Sequence, residues 1–185
     1  MLKKVQAKKL ISVTRLALFA LVLTSCGYSV ESEDVKIVHQ IQNKVASELT
    51  ANGTLCVEAL GASMFNEVKK ISFRFNSPCK LSHEQARILY VNTVATYLRE
   101  VNQNEAIRPY LIKHPFTFEN SDIQISFDSS KKTNFIALMG IGKNYIYYAT
   151  FPPEKNTYET YHRETFEEAL KIVEESTGKK IDLGY

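Results

Sequence analysis

The chain has 185 residues, of which 44% are hydrophobic, 23% charged and 11% aromatic, with seven Gly, five Pro, three Cys and no Trp. This composition fits one globular domain plus a short extra segment. It excludes a disordered, collagen-like or disulfide-dense chain, and a multi-pass membrane protein, because only one apolar stretch comes near spanning length. The formal charge of +3 is misleading. Lys3, Lys4, Lys8, Lys9 and Arg15 lie in the first 25 residues with no Asp or Glu among them, and without these five the basic count falls from 23 to 18 against 20 acidic residues. What remains carries no basic stripe, so no nucleic-acid partner is expected.

Residues 1–15 are basic and polar, Leu16 to Leu23 is an uninterrupted apolar run, and Leu23-Thr24-Ser25-Cys26 follows. That is the order of a secretory signal. Eight continuous apolar residues are too few for a bilayer core that needs about 20, so residues 1–25 are expected to be cleaved rather than to span. The ending resembles a bacterial lipobox, in which an aliphatic residue and two small residues precede the Cys that becomes the lipidated first residue. Leu23, Thr24, Ser25 and Cys26 match it position by position, and the resemblance covers the leader alone. It implies a diacylglycerol on Cys26, with a further acyl chain such as palmitate on its amine, and two or more chains give stable anchoring. The expected organisation is a signal peptide over 1–25, a lipidated tether over 26–33 and a single domain over 34–185. Gly27 and Tyr28, not Asp, follow the Cys, which favours the outer membrane, facing the periplasm, if two membranes are present. The competing reading is an ordinary signal peptide with an incidental Cys.

Val35, Val38, Ile41, Val45 and Leu49 recur at helical spacing after Ser32, and Asn52-Gly53 stops that helix. Thr54 to Ala62 and Val68 to Phe75 read as a hairpin turning at Glu67-Val68, which sets Leu60 opposite Phe75 and Cys56 opposite Cys79. That register makes a Cys56–Cys79 disulfide geometrically feasible, with two buried free thiols as the alternative. Ser82 begins a second helix, with Gln85 at the capping-box position and Ala86, Leu89, Tyr90, Val94, Tyr97, Leu98 and Val101 as its buried stripe. Pro109 and Pro115 make the segment from Asn102 to Pro115 an irregular connection. Ile123, Ile125 and Phe127 alternate with polar residues, and Phe135 to Ile141 and Tyr145 to Phe151 complete a three-stranded meander. Pro152-Pro153 ends the sheet, and a last helix starts at Thr165 with Glu168 in the capping-box position and stops at Thr177-Gly178. The order αββαβββα predicts an α+β fold: a mostly antiparallel sheet of about five strands with helices on one face.

Catalytic motifs fail on spacing. His83-Glu84 opens like a zinc-protease helix, but Arg87 stands where the second His is required. His39, His83, His114 and His162 are widely separated, and neither a metal nor any other cofactor is assigned. Gly140-Ile141-Gly142-Lys143 lacks the remaining residues of a phosphate loop, and Ser63 lacks the second Gly of a nucleophile elbow. Tyr145, Tyr147 and Tyr148 form the densest aromatic group, and with Arg108 and Tyr110 of the Pro-pinned connector they are candidates for a contact surface. The bland alternatives are aromatics filling a half-buried sheet and a connector that locks a helix to a strand.

The expected function is a lipid-anchored envelope protein that binds a protein or glycan without covalent chemistry. Two alternatives stay open. One is an envelope hydrolase whose acids and bases converge only in the fold, and the other is a stoichiometric inhibitor or covering protein for an envelope partner.

Overall fold

Helix boundaries fall where capping side chains satisfy backbone groups left free at a helix end. A computed structural model describes residues 31–128 and 135–185. The lipobox Cys26, the leader and the polar segment between the Ile123–Phe127 and Phe135–Ile141 strand patterns lie outside the described residues. Helix α1 (Glu33–Thr50) leads into a hairpin of β1 (Cys56–Phe65) and β2 (Glu67–Ser77), followed by α2 (His83–Gln103). After a connector with two 3-10 turns, β3 (Ser121–Phe127), β4 (Leu138–Ile141), β5 (Ile146–Thr150) and β6 (Glu159–Glu164) lead to α3 (Phe166–Thr177). Ser82 and Gln85 form a reciprocal capping box on α2, Thr165 and Glu168 do the same on α3, and Gly178 ends α3 at φ +67°.

The six strands form one sheet in the order β1-β2-β3-β4-β5-β6, antiparallel except for the β2–β3 pair, which α2 connects. The fold is therefore α+β with a mostly antiparallel sheet. Alternate residues Ile71, Phe73 and Phe75 on β2 and Ile123, Ile125 and Phe127 on β3 are buried with Ile41 and Val45 of α1, Tyr90, Val94 and Tyr97 of α2, and Phe166 and Val173 of α3 in one core. The intervening side chains, Ser72, Arg74 and Asn76 on β2 and Asp122, Gln124 and Ser126 on β3, point to the other face and stay half-exposed.

Two expectations need correction. The order is αββαββββα: Glu159–Glu164 forms a sixth strand, because the polar loop after Pro152-Pro153 turns back and pairs Thr150 with Glu159 and Tyr148 with His162. The β1–β2 register is also shifted. Asn66 takes a positive φ of 64° at the hairpin tip, so Cys56 faces Asn76 and Leu60 faces Phe73. Cys79 lies beyond the end of β2, and both thiols are free, Cys56 exposed and Cys79 partly buried.

The connector locks α2 to the sheet, as the Pro-pinned pattern predicts. Phe116 is fully buried, and Asn102, 1% exposed, clamps its backbone from both sides. The Asn102 Oδ1 accepts from Phe116 N at 2.7 Å, and Nδ2 donates to Phe116 O at 3.0 Å and to Leu183 O at 3.2 Å. Arg108 donates to the Asn102 carbonyl at 3.3 Å, at the last turn of α2. Truncating Asn102 strands a buried N–H and carbonyl, so Asn102→Ala is expected to cost about 2–3 kcal/mol. Chemical denaturation should show that loss as a lower midpoint at an unchanged slope.

Candidate functional site

The described residues carry two concentrations of polar side chains, one on each face of the sheet. The first forms where the first turn of α2 meets the β5–β6 edge. Pairing of β5 with β6 sets Tyr148 beside His162 and Ile146 beside Glu164, so Tyr148, His162 and Glu164 share the helix-facing side. The first turn of α2 supplies His83 and Arg87, four residues apart and hence on one helix face.

Arg87 is the hub of this cluster. Its Nε donates to both oxygens of Glu164, at 2.8 and 3.1 Å, and its Nη2 lies 2.8 Å from His83 Nε2. The Tyr148 hydroxyl donates to Glu164 Oε1. Side-chain exposure is 11% for Arg87 and 6% for Glu164, which makes this a buried ion pair. A guanidinium can only donate, so His83 Nε2 is the unprotonated nitrogen and Nδ1–H faces the Tyr161 hydroxyl oxygen at 3.0 Å. His162 packs edge-on against the His83 ring with centroids 4.8 Å apart, and its Nε2, 3.7 Å from Glu164 Oε2, is buried without a hydrogen-bond partner.

The protonation states follow from this arrangement. Burial, then the Arg87 charge and His162, lower the pKa of His83, which keeps it neutral. Burial pushes Glu164 up, but the hydrogen bonds from Arg87 and Tyr148 and the Arg87 charge outweigh it and leave Glu164 a carboxylate below its ordinary range. Burial raises Tyr148, and the bond to Glu164 adds to this; Tyr161 is pushed up to about 12, chiefly by burial. A neutral imidazole whose lone pair is held only by a displaceable guanidinium N–H, beside a fixed carboxylate, can accept a proton or hold a cation.

The second concentration covers the helix-free face. Arg74 Nη2 pairs with Asp122 Oδ2 at 3.0 Å, Ser72 donates to the same oxygen at 3.0 Å, and Asn76 donates to Ser126 and Asp128. Tyr147 lies flat over Gly140, its partner across β4–β5, and Tyr145 lies over Gly142; a Cβ on either glycine would overlap the ring. Arg163 caps the Tyr145 ring at 5.0 Å. Of the residues singled out as a contact surface, Tyr145 and Tyr147 are half-exposed on this face. Tyr148 is fully buried on the opposite one, because odd and even strand positions face opposite ways. Arg108 and Tyr110 sit in the connector and belong to neither group.

The sequence does not reveal the edge cluster, because Glu159–Glu164 is polar and carries no apolar strand pattern. One signal is present: His162 and Glu164 stand two apart, the spacing that puts both on one face of a strand. That His83 and Arg87 would meet them across some 77 residues was not legible. No known family, no curated protein and no solved structure matches the chain.

Burial alone would raise the pKa of Asp122, but its hydrogen bonds from Arg74 and Ser72 and the Arg74 charge hold it below the ordinary value. The stabilisation is thus present above the unfolded-state value of about 3.9 and is lost as pH falls through the lower folded value. With both partners more than a third exposed, it is worth less than about 1 kcal/mol. An NMR titration should find the Asp122 carboxyl below the usual aspartate range and should see it rise in Arg74→Ala; no rise would contradict the pairing.

Proposed function

We propose that the chain is a lipid-anchored protein of a bacterial envelope, held by acyl chains on Cys26, whose domain acts as a non-catalytic binding module. The leader carries this reading: a basic segment, an eight-residue apolar run and Leu23-Thr24-Ser25-Cys26 in immediate succession. No helix among the described residues is long and apolar enough to cross a membrane, so a lipid on Cys26 supplies the attachment in this account. The absence of Asp after Cys26 favours the outer membrane where there are two.

The helix-free face is the surface offered to a partner. Hydrogen-bonding side chains in a plane (Arg74, Asp122, Gln124) beside the partly exposed rings of Tyr145 and Tyr147 suit a hydroxyl-rich chain such as an envelope glycan. A hydrolase is the second reading, favoured by the convergence of His83, His162 and Glu164. A cleft of about 470 Å³ between α2 and the C-terminal segment, lined by Asn92, Arg99 and Asp182, and one of about 500 Å³ lined by Lys113, Glu119 and Tyr185 include none of these three.

Intact-mass measurement of membrane-extracted protein is expected to find a chain beginning at Cys26 with added diacylglyceryl and acyl mass. Cys26→Ala should abolish that addition and release the protein from the membrane fraction. An unmodified mass cleaved elsewhere would refute the anchor. For the face, Arg74→Ala and Tyr147→Ala should each weaken retention on isolated envelope glycan by about 1 kcal/mol or more, and unchanged retention would point to a protein partner.

A further inference from the structure

We propose that His83, His162 and Glu164 form a binding site for a borderline divalent transition ion of the Zn²⁺ class. One ligand atom from each of the three residues lies within 4.8 Å of the others. The proposal is independent of the lipid anchor and of the helix-free face.

Three features support a ligand set rather than a chance cluster. First, His162 Nε2 is buried, has no hydrogen-bond partner and lies 3.7 Å from Glu164 Oε2. With metal–ligand bonds of about 2.1 Å, two atoms on one tetrahedral ion lie about 3.4 Å apart, so this pair is already at coordinating separation. Second, Nε2 of His83 carries the ring's lone pair, while Nδ1–H is held by the Tyr161 hydroxyl at 3.0 Å. Ligating imidazoles are typically oriented by such an outer hydrogen bond on the other nitrogen. Third, Glu164 is fixed through Oε1 by Tyr148 and by Arg87 Nε at 2.8 Å. Oε2, which faces His162, carries only the longer Arg87 bond at 3.1 Å and is the oxygen offered to an ion.

Binding is an exchange. The Nη2 of Arg87 now occupies the His83 lone pair at 2.8 Å. An incoming ion takes that lone pair, Nη2 turns outward, and Arg87 Nε keeps its bond to Oε1. His83 must approach the other two ligands by up to about 1.4 Å, a shift within reach of a side chain in the first turn of a helix. Two imidazoles and one carboxylate select zinc-like ions over Mg²⁺ and Ca²⁺, which require predominantly oxygen ligands. Such a three-residue set leaves a fourth position for water or a ligand.

The test is isothermal titration of ZnCl₂ into full-length protein carrying no histidine tag, stripped with chelator and with its thiols alkylated. Wild type is expected to bind one Zn²⁺ per chain, unaffected by excess Ca²⁺ or Mg²⁺. His83→Ala and His162→Ala, which leave the Arg87–Glu164 pair in place, should each weaken binding at least tenfold. His83→Gln and His162→Gln keep side-chain volume and replace the alanine variants if those melt below the assay temperature. Absence of one-to-one binding, equal competition by Ca²⁺, or affinity unchanged in both histidine variants would overturn the proposal.

Discussion

The buried pair of Arg87 and Glu164 joins the first turn of α2 to the end of the last strand, 77 residues away. β6 is short, lies at the edge of the sheet and exposes Thr160, Tyr161 and Arg163, so its side chains bury little apolar surface. Apart from its pairing with β5, the edge is tied to the helical layer through Glu164, which Arg87 grips with two bonds and Tyr148 with a third. A buried ion pair is not by itself a large net source of stability, because desolvation of both charges offsets much of their attraction. Its consequence is specificity. With Glu164 inside, a strand shifted by one residue would bury Arg163 and leave Arg87 without a partner. The same constraint gathers His83, His162 and Tyr161 into one cluster, so the chemistry of this edge is a product of how the strand is held.

The two faces of the sheet solve different problems. The helix-facing side is apolar except for buried polar groups with defined tasks: Asn102 clamps the connector, and the Tyr90 and Tyr97 hydroxyls donate to the carbonyls of Ile123 and Asn120 at 2.7 and 3.2 Å. Among the described residues, the other side is covered by its own side chains and not by a helix. There the absence of side chains at Gly140 and Gly142 lets Tyr147 and Tyr145 lie against the backbone, which shields strand hydrogen bonds from water without a helix. These rings therefore have a structural task as well as an exposed edge, and a partner on this face would meet a surface already rigid.

Local signals were the most legible. The caps at Ser82 and Thr165, the stop at Gly178 and the apolar stripes of all three helices could be read from sequence, since each depends on residues within one or two turns. The alternation of β3 was legible for the same reason. The hairpin register was not, because it turns on Asn66 adopting a left-handed conformation, which nearby residues do not dictate uniquely. β6 was illegible because its sequence, Glu159 to Glu164, is polar and has no apolar alternation; its inward side is carried by partly buried His162 and buried Glu164 instead of apolar side chains. The edge cluster shared that fate, being assembled from residues some 80 positions apart.

A double-mutant cycle on Arg87 and Glu164 tests most directly whether this pair holds the edge. The free energies of unfolding of wild type, Arg87→Met, Glu164→Gln and the double variant would be compared. Each single change leaves a buried polar group unpaired and should cost about 3 kcal/mol or more, while the double should cost well below the sum, a coupling of at least about 1.5 kcal/mol. Costs that simply add would show that the two residues act independently and that this pair is not what holds β6 to the helical layer.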